Sequence, residues 1–515
     1  MQENSWQEND SCYNELEDIN SLLEDLSESA EDLTKDIFKD IFTGQTGRRR
    51  KAALALFLIW LVVITLHLVS WGFWVVLGFA ALLWGQAGRI IMAQPIATQS
   101  LTTQSLTANL DSSLENLPKV SLLVAAKNEE AVIDRLVRAL CQQNYPSDRL
   151  EVWIIDDDSS DRTPQVLAKL QQEFPHLHTI RRQAGATGGK SGALNQILAQ
   201  TKGDIIAVFD ADATVAPDLV RQVVPLFAAE KIGAVQIRKD IVNWADNFWT
   251  RGQKSEMALD SYFQQQRIAL GGTGELRGNG QFVRRLALQR CGGWNEQTIT
   301  DDLDLTIRLH LDQWDIGFLL TPAVGEEGVT TMKALWHQRN RWAEGGYQRY
   351  LDYWRLLASN QMGWRKTIDS LSFMVIQYLL PAAAIPDLIM ALILGESPLL
   401  APLSAVTIVL PLVGIFTGLR RISSQKILLR DTPINSNITE TINASGDTSL
   451  RANFGIKRGT SKDISLPSLG LLLRQSWWGI IYLFHWIPIM ASVTARMSVR
   501  PKRLKWVKTV HSGDV

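Results

Sequence analysis

The chain of 515 residues is long enough for more than one domain, and 46% of it is hydrophobic, gathered in long blocks towards both ends. Those blocks exclude a wholly soluble protein. The net charge of −1 conceals an acidic segment 1–47, whose cations are Lys35 and Lys39, so the remainder is correspondingly basic and faces an anionic membrane surface; no nucleic-acid partner is expected.

In chain order, residues 1–47 read as a disordered acidic tail. Residues 52–93 read as two transmembrane helices, because the apolar run Ala52 to Gly85 exceeds the roughly 20 residues of one span and breaks near Ser70 and Gly72. The run is too long and too far from Met1 for a signal peptide. Arg48 to Lys51 flank it, so the positive-inside rule places the N-terminus and the returning soluble domain in the cytoplasm. That domain is expected over residues 118–364. Transmembrane helices follow over 368–420, a polar loop over 421–465, a further helical membrane region over 466–495 and a basic cytoplasmic tail over 496–515. Three late crossings would leave the C-terminus outside, whereas the basic run Arg500 to Lys508 argues for inside. Either Pro381 and Pro386 split one block, or Leu466 to Leu473 forms another element, interrupted at Arg474.

Cys12, Cys141 and Cys291 show no metal spacing and suit a reducing compartment. The sequons at Asn437 and Asn443 fall in the polar loop, on the cytoplasmic side in this topology.

Within 118–364, KVSLLVAA, LEVWIIDDDS and IIAVFDADA read as buried strands alternating with helices. The expected fold class is α/β, a doubly wound and mostly parallel sheet with ligands at the strands' carboxyl ends. Asp156 to Asp158, Asp210 and Asp212 stand at those ends. Two carboxylates one residue apart can reach a single hard cation such as Mg²⁺, leaving diphosphate and water to complete its shell. For Thr300-Asp301-Asp302-Leu303-Asp304 the residues alone leave two readings open. Thr300 caps a helix whose first turn favours acids, or a carboxylate there does chemistry.

VSLLVAAKNEE, IIDDDSSDRT, GGKSGALN, GDIIAVFDADA, LRGNGQFVRR, GGWNEQTITDDLDL and QRNRW occur in an order that resembles the membrane-bound family 2 glycosyltransferases, which are inverting enzymes of the GT-A fold. The resemblance implies that Asp302 is the catalytic base and that Ala126, Glu129, Asp157, Lys190, Asp210, Gln338 and Arg341 bind the nucleotide. It places Gly278, Asn279 and Trp342 at the acceptor and gives Asp210 and Asp212 a metal, Mg²⁺ or Mn²⁺. WVKTVH, Trp506 to His511, resembles a tail that folds back towards the nucleotide in such enzymes. The whole arrangement, an acidic N-terminal tail, two crossings, TDDLDL, QRNRW and a short C-terminal bundle, resembles that of cyanobacterial lipid glucosyltransferases. This implies UDP-glucose as donor, diacylglycerol in the lipid bilayer as acceptor, a β-glucolipid precursor of thylakoid galactolipids as product, and a place in the plasma or thylakoid membrane. The alternative is a processive polysaccharide synthase using a UDP-sugar.

Overall fold

The computed structural model describes residues 48–95, 117–430 and 468–499. The acidic tail, Cys12, both sequons, WVKTVH and most of the polar loop lie outside the described residues.

Seven strands make one sheet: β1 (Val120–Ala126), β2 (Leu150–Asp156), β3 (Leu177–Arg181), β4 (Ile205–Phe209), β5 (Ile232–Ile241), β6 (Gln281–Arg284) and β7 (Asp315–Glu326), in the order β3-β2-β1-β4-β6-β5-β7. The first four pair in parallel and β5 pairs in parallel with β7, while β6 runs against both its neighbours. The apolar runs of β1 and β4 are buried on both faces, as a sheet covered on two sides requires. One face carries α3 (Ile133–Cys141) and α4 (Thr163–Glu173), through Leu136, Leu140, Leu167 and Leu170. The other carries α5 (Gly189–Leu198) and, after two short helices α6 (Leu219–Val223) and α8 (Arg285–Arg290), α9 (Asp301–Leu311), through Leu194, Ile197, Leu305 and Leu309. The long helix α7 (Phe248–Ala269) lies between α6 and α8 in the chain. The doubly wound, mostly parallel sheet therefore holds, with β6 as its reversed strand.

Five stretches among the described residues are long and apolar enough to cross a membrane. α1 (Arg48–Leu68) and α2 (Gly72–Met92) form the expected hairpin. Its turn needs glycine: a Cβ on Gly72 would lie 1.8 Å from the Leu66 carbonyl oxygen. Both outer ends return to the soluble domain. Arg48 pairs with Asp352 and donates to the Gln297 carbonyl, and Gln266 Nε2 donates to the Ala93 carbonyl at 2.8 Å.

After α10 (Met332–Ala358), the stretch Trp364–Leu394 runs as α11 (Trp364–Met374), a π-helical turn Val375–Leu379 and α12 (Leu380–Leu394). Pro381 and Pro386 do not split it. The wide turn lies just ahead of Pro381, where a helix must absorb a missing donor and a bulky ring. α13 (Ala401–Arg430) carries helix ten residues past the expected start of the polar loop.

The C-terminal stretch is bent between α14 (Leu469–Leu483) and α15 (Trp486–Val499), at Phe484 and His485 and not at Arg474. Tyr482 and Trp486 flank the bend, and both donate to Glu256 of α7, at 3.1 and 2.9 Å. Beyond it, Thr494 shares a hydrogen bond with Tyr347 of α10, and Arg496 donates to Asn340 of the same helix. The bend is thus fastened to the soluble domain, and α15 runs back along α10.

Candidate active site

The carboxyl ends of β1, β2 and β4 open onto a cavity of about 540 Å³. At the first two, Ala126 accepts from the Asp157 amide at 2.8 Å, which ties the strand ends together. Asp157 lines the cavity with its carboxylate 2.7 Å from Arg182 and 3.8 Å from Lys127. Glu129 is buried beside it, its amide donating to Thr163 Oγ1 at 2.8 Å.

At the end of β4, Asp210 is half-exposed and Asp212 buried, and Asp212 Oδ2 accepts from the Glu327 amide at 3.1 Å. Lys190 Nζ lies 2.6 Å from Asp210 Oδ1. It stands in the first turn of α5, where the helix dipole disfavours a cation, so its site is set by that carboxylate. The loop before it turns at Gly188, with φ +83°, where a Cβ would meet Glu296 Oε2 at 2.4 Å. Burial would raise the Asp210 carboxyl, but the charge of Lys190, its hydrogen bond, Lys239 and Arg341 together hold it below the usual carboxylate range. Among the described residues no trio of acidic, histidine or cysteine groups gathers about a point. Asp210 and Asp212 fit a cation completed by phosphate oxygens and water, not one caged by protein.

Asp302 lies in the first turn of α9, facing the cavity. Thr300 stands at the cap position but its side chain makes no capping bond. Its Oγ1 is pressed against α10, where a Cβ on Gly345 would lie 2.1 Å away. The capping reading of this acidic stretch is not realised. Burial pushes the Asp302 carboxyl up to about 6, helped by the neighbouring charge of Asp301 and opposed by the Leu303 amide, Lys190 and Arg277. Asp304 has a different task from an ordinary first-turn acid. Fully buried, it joins Arg308 at 2.7 Å, Asn295 at 2.9 Å and the Tyr353 hydroxyl at 3.0 Å.

Gly278, with φ +81°, forms part of the floor, and a Cβ there would lie 3.4 Å from Asp302 Oδ2. Asn279, expected at the acceptor, is instead buried beneath that floor and accepts from the Asp210 amide at 3.2 Å. It positions the Asp210 turn and is not among the residues that line the cavity. On α10, Gln338, Arg341 and Trp342 all line it. The intervening Arg339 stacks 3.9 Å from the centre of the Trp342 ring and pairs with Glu256, which fixes the indole.

The residue reading missed Lys239 of β5, Glu256 and Asp260 of α7, Arg277, Arg349 and, from the membrane helices, Gln377, Tyr378, Trp486 and Met490, all of which line the cavity. One signal was available. Gln338, Arg341, Gly345 and Arg349 recur at helical spacing and mark one face of α10.

This geometry agrees with what the chain is similar to. Residues 118–345 match the family described as "Glycosyltransferase like family 2". A beta-monoglucosyldiacylglycerol synthase of Trichormus variabilis is 53% identical over the full length of both chains. The synthase of the same name from Synechocystis is 53% identical over 99% of this chain and 97% of its own. The chain belongs to glycosyltransferase family 2. It is a GT-A enzyme that transfers a hexose, and both of these relatives match it over almost their whole length. Among solved structures, a mannosyltransferase from Pyrobaculum calidifontis in complex with GDP-Man and Mn²⁺ is 20% identical, with a TM-score of 0.47, over 70% of this chain and 99% of its own.

Proposed function

We propose that this glycosyltransferase moves glucose from UDP-glucose to the free hydroxyl of 1,2-diacylglycerol with inversion, giving β-monoglucosyldiacylglycerol. The observation that carries the choice of acceptor is full-length similarity, membrane helices included, to synthases of that name. The cavity supports it, since it runs from the strand-end carboxylates to Gln377 and Tyr378 of a membrane-spanning helix, so a lipid can enter from the bilayer.

Asp157 and Arg182 hold the base of the nucleotide, and Lys190, Lys239, Gln338 and Arg341 face its diphosphate. Asp210 and Asp212 would hold a divalent cation, Mg²⁺ or Mn²⁺, which would neutralise charge gathering on the leaving diphosphate. Asp302 accepts the proton of the acceptor hydroxyl. As that oxygen bonds to the anomeric carbon, the bond to phosphate breaks and UDP departs with the electron pair. Trp342 and Gly278 fix the sugar and the attacking oxygen between them. The cytoplasmic side, in a plasma or thylakoid membrane, is where UDP-glucose reaches this site, and the fastened bend at Phe484 and His485 supports four crossings with both termini on that side.

The test supplies purified protein in detergent and lipid micelles with labelled UDP-glucose, Mg²⁺ and diacylglycerol, and separates products by thin-layer chromatography. A single glucolipid that requires diacylglycerol is the expected result. Labelled material that stays at the origin and grows without diacylglycerol would establish a polysaccharide synthase instead.

A further inference from the structure

The membrane end of the cavity holds polar groups that the transfer chemistry leaves unused. Gln377 sits on the π-helical turn Val375–Leu379, and its Oε1 is buried with no hydrogen-bond partner among the described residues. Arg349 of α10 is 3% exposed and lines the same cavity, and its Nε also lacks a partner among the described residues. Its Nη1 meets Glu275 Oε2 at 3.5 Å, and its Nη2 reaches Tyr350 Oη at 3.4 Å. Leaving a buried donor or acceptor unpaired is costly. π turns inside helices gather at functional sites. Here the turn is pressed against α10, since a Cβ on Gly346 would lie 1.8 Å from Tyr378 Oη. That approach brings Arg349 to the level of Gln377.

The depth of these groups matches one part of one kind of molecule. Gln377 lies eight residues beyond Asp369, about 12 Å along a stretch long and apolar enough to cross a membrane, Trp364–Leu394. From Asp302 the polar lining passes through Arg277, which bonds Glu275 at 2.6 Å, to Arg349 on the same Glu275. An acylglycerol whose hydroxyl meets Asp302 carries its ester carbonyls a few bonds away, in that direction. Carbonyls accept, guanidinium donates, and a side-chain amide offers a donor from either of its interchangeable orientations.

We propose that Arg349 and Gln377 form a subsite for the ester carbonyls of the lipid acceptor and thereby make the enzyme selective for ester-linked over ether-linked diradylglycerols. This rests on the acceptor reading above and adds the part of the lipid that is recognised. Arg349 and Gln377 are positioning residues: they hold the glycerol so that its hydroxyl faces Asp302.

The experiment uses the full chain in mixed micelles with UDP-glucose and compares 1,2-diacylglycerol with a 1,2-dialkylglycerol of equal chain length, which keeps the hydroxyl and lacks the carbonyls. The native enzyme should favour the ester by about tenfold in kcat/KM, as loss of one or two hydrogen bonds implies. Gln377→Leu should shrink that ratio severalfold, and Arg349→Lys should act in the same direction, both with the KM for UDP-glucose unchanged. A ratio that stays at its native value in Gln377→Leu, or a native enzyme that uses both lipids equally, overturns the subsite while leaving the acceptor reading intact. Release of UDP with no glucolipid from either lipid overturns the acceptor reading, and the subsite with it.

Discussion

The two ends of the cavity are built in opposite ways. At the nucleotide end, the carboxylates sit within three residues of a strand terminus: Asp157 after β2, Asp210 and Asp212 after β4. At the lipid end, Glu256, Arg349, Gln377 and Trp486 come from four separate helices and meet only through tertiary packing. A sheet fixes ligands by local geometry, since its strand ends converge at one edge whatever the loops do. The membrane end depends on how closely helices can approach, and there glycine decides. The first end should therefore lose chemistry when a single side chain changes, and the second should lose it when a single contact is overfilled.

The largest effect is expected at the junction of the two ends. Asp302→Asn removes the proposed base, and kcat should fall by a factor of about 10² to 10⁴ with UDP binding retained. Stability separates this from a helix-capping role. Burial and Asp301 raise the folded pKa of Asp302 to about 6, above its ordinary value of 3.8, so its ionised form opposes folding. That destabilisation is absent below the unfolded value and sets in as pH rises through the folded one. Asp302→Asn should then melt no lower than the native protein at pH 7. A marked drop in melting temperature would return the residue to a structural role.

The same carboxyl sets the next effect. The reactive form is the ionised one, so kcat/KM should be level above an apparent pKa of about 6 and fall roughly tenfold per unit below it. Because Asp302 and Asp301 interact, that value belongs to the pair. A profile in which activity stays flat down to pH 4.5 would show that neither carboxylate accepts the proton.

The contrast between the two ends also explains what could be read from the chain. β2 and β4 announce themselves as apolar runs ending in acids, and with β1 the α/β sheet follows from that pattern, whereas the nucleotide residues came from the family resemblance. Asn279 was misplaced because sequence puts it beside Gly278, while the turn at Gly278 and Gly280 sends its side chain under β4. Thr300 looked like a cap by residue type, but α10 crosses too near for its hydroxyl to reach back. The bend at Phe484 and His485 is marked in the sequence by Pro488, in the first turn of α15, which cannot donate back to the Phe484 carbonyl. Arg474, the charge that suggested a break, lies inside a continuous helix. What the sequence does not show is the partner that fastens the bend, Glu256, more than two hundred residues earlier in the chain. Gln377 was legible only as a polar residue in an apolar run.

Overfilling should give the third effect. A methyl group added by Gly345→Ala would meet Thr300 Oγ1 at 2.1 Å, so α10 must shift away from the start of α9. Overpacking of this kind costs about 1 to 3 kcal/mol, and it moves Arg341 and Trp342 relative to Asp302. The expected result is a melting temperature lowered by a few degrees and a kcat lowered more than the KM for UDP-glucose rises. Gly292→Ala serves as the control: its φ of +74° carries the same backbone strain that many turns do, but no atom lies within 4 Å of its Cβ. Equal loss of activity in both variants would mean that the contact with Thr300 is not what aligns the site.

The smallest effect tests where the lipid end sits, and it should leave activity almost untouched. If the C-terminal helix pair is fastened to the catalytic side, a cysteine at Val499, which is 69% exposed, should react with a membrane-impermeant thiol reagent only when the catalytic side of a sealed vesicle is presented. A cysteine at Glu396, in the link between α12 and α13, should react only from the opposite side. The variants carry Cys12→Ser, and Cys141 and Cys291 are buried and contribute little background. Labelling of both positions from the same side would mean that the helix pair crosses the bilayer after all. Tyr482 and Trp486 would then have to leave Glu256, and Arg339, which that carboxylate holds against Trp342, would lose the partner that fixes the indole over the acceptor.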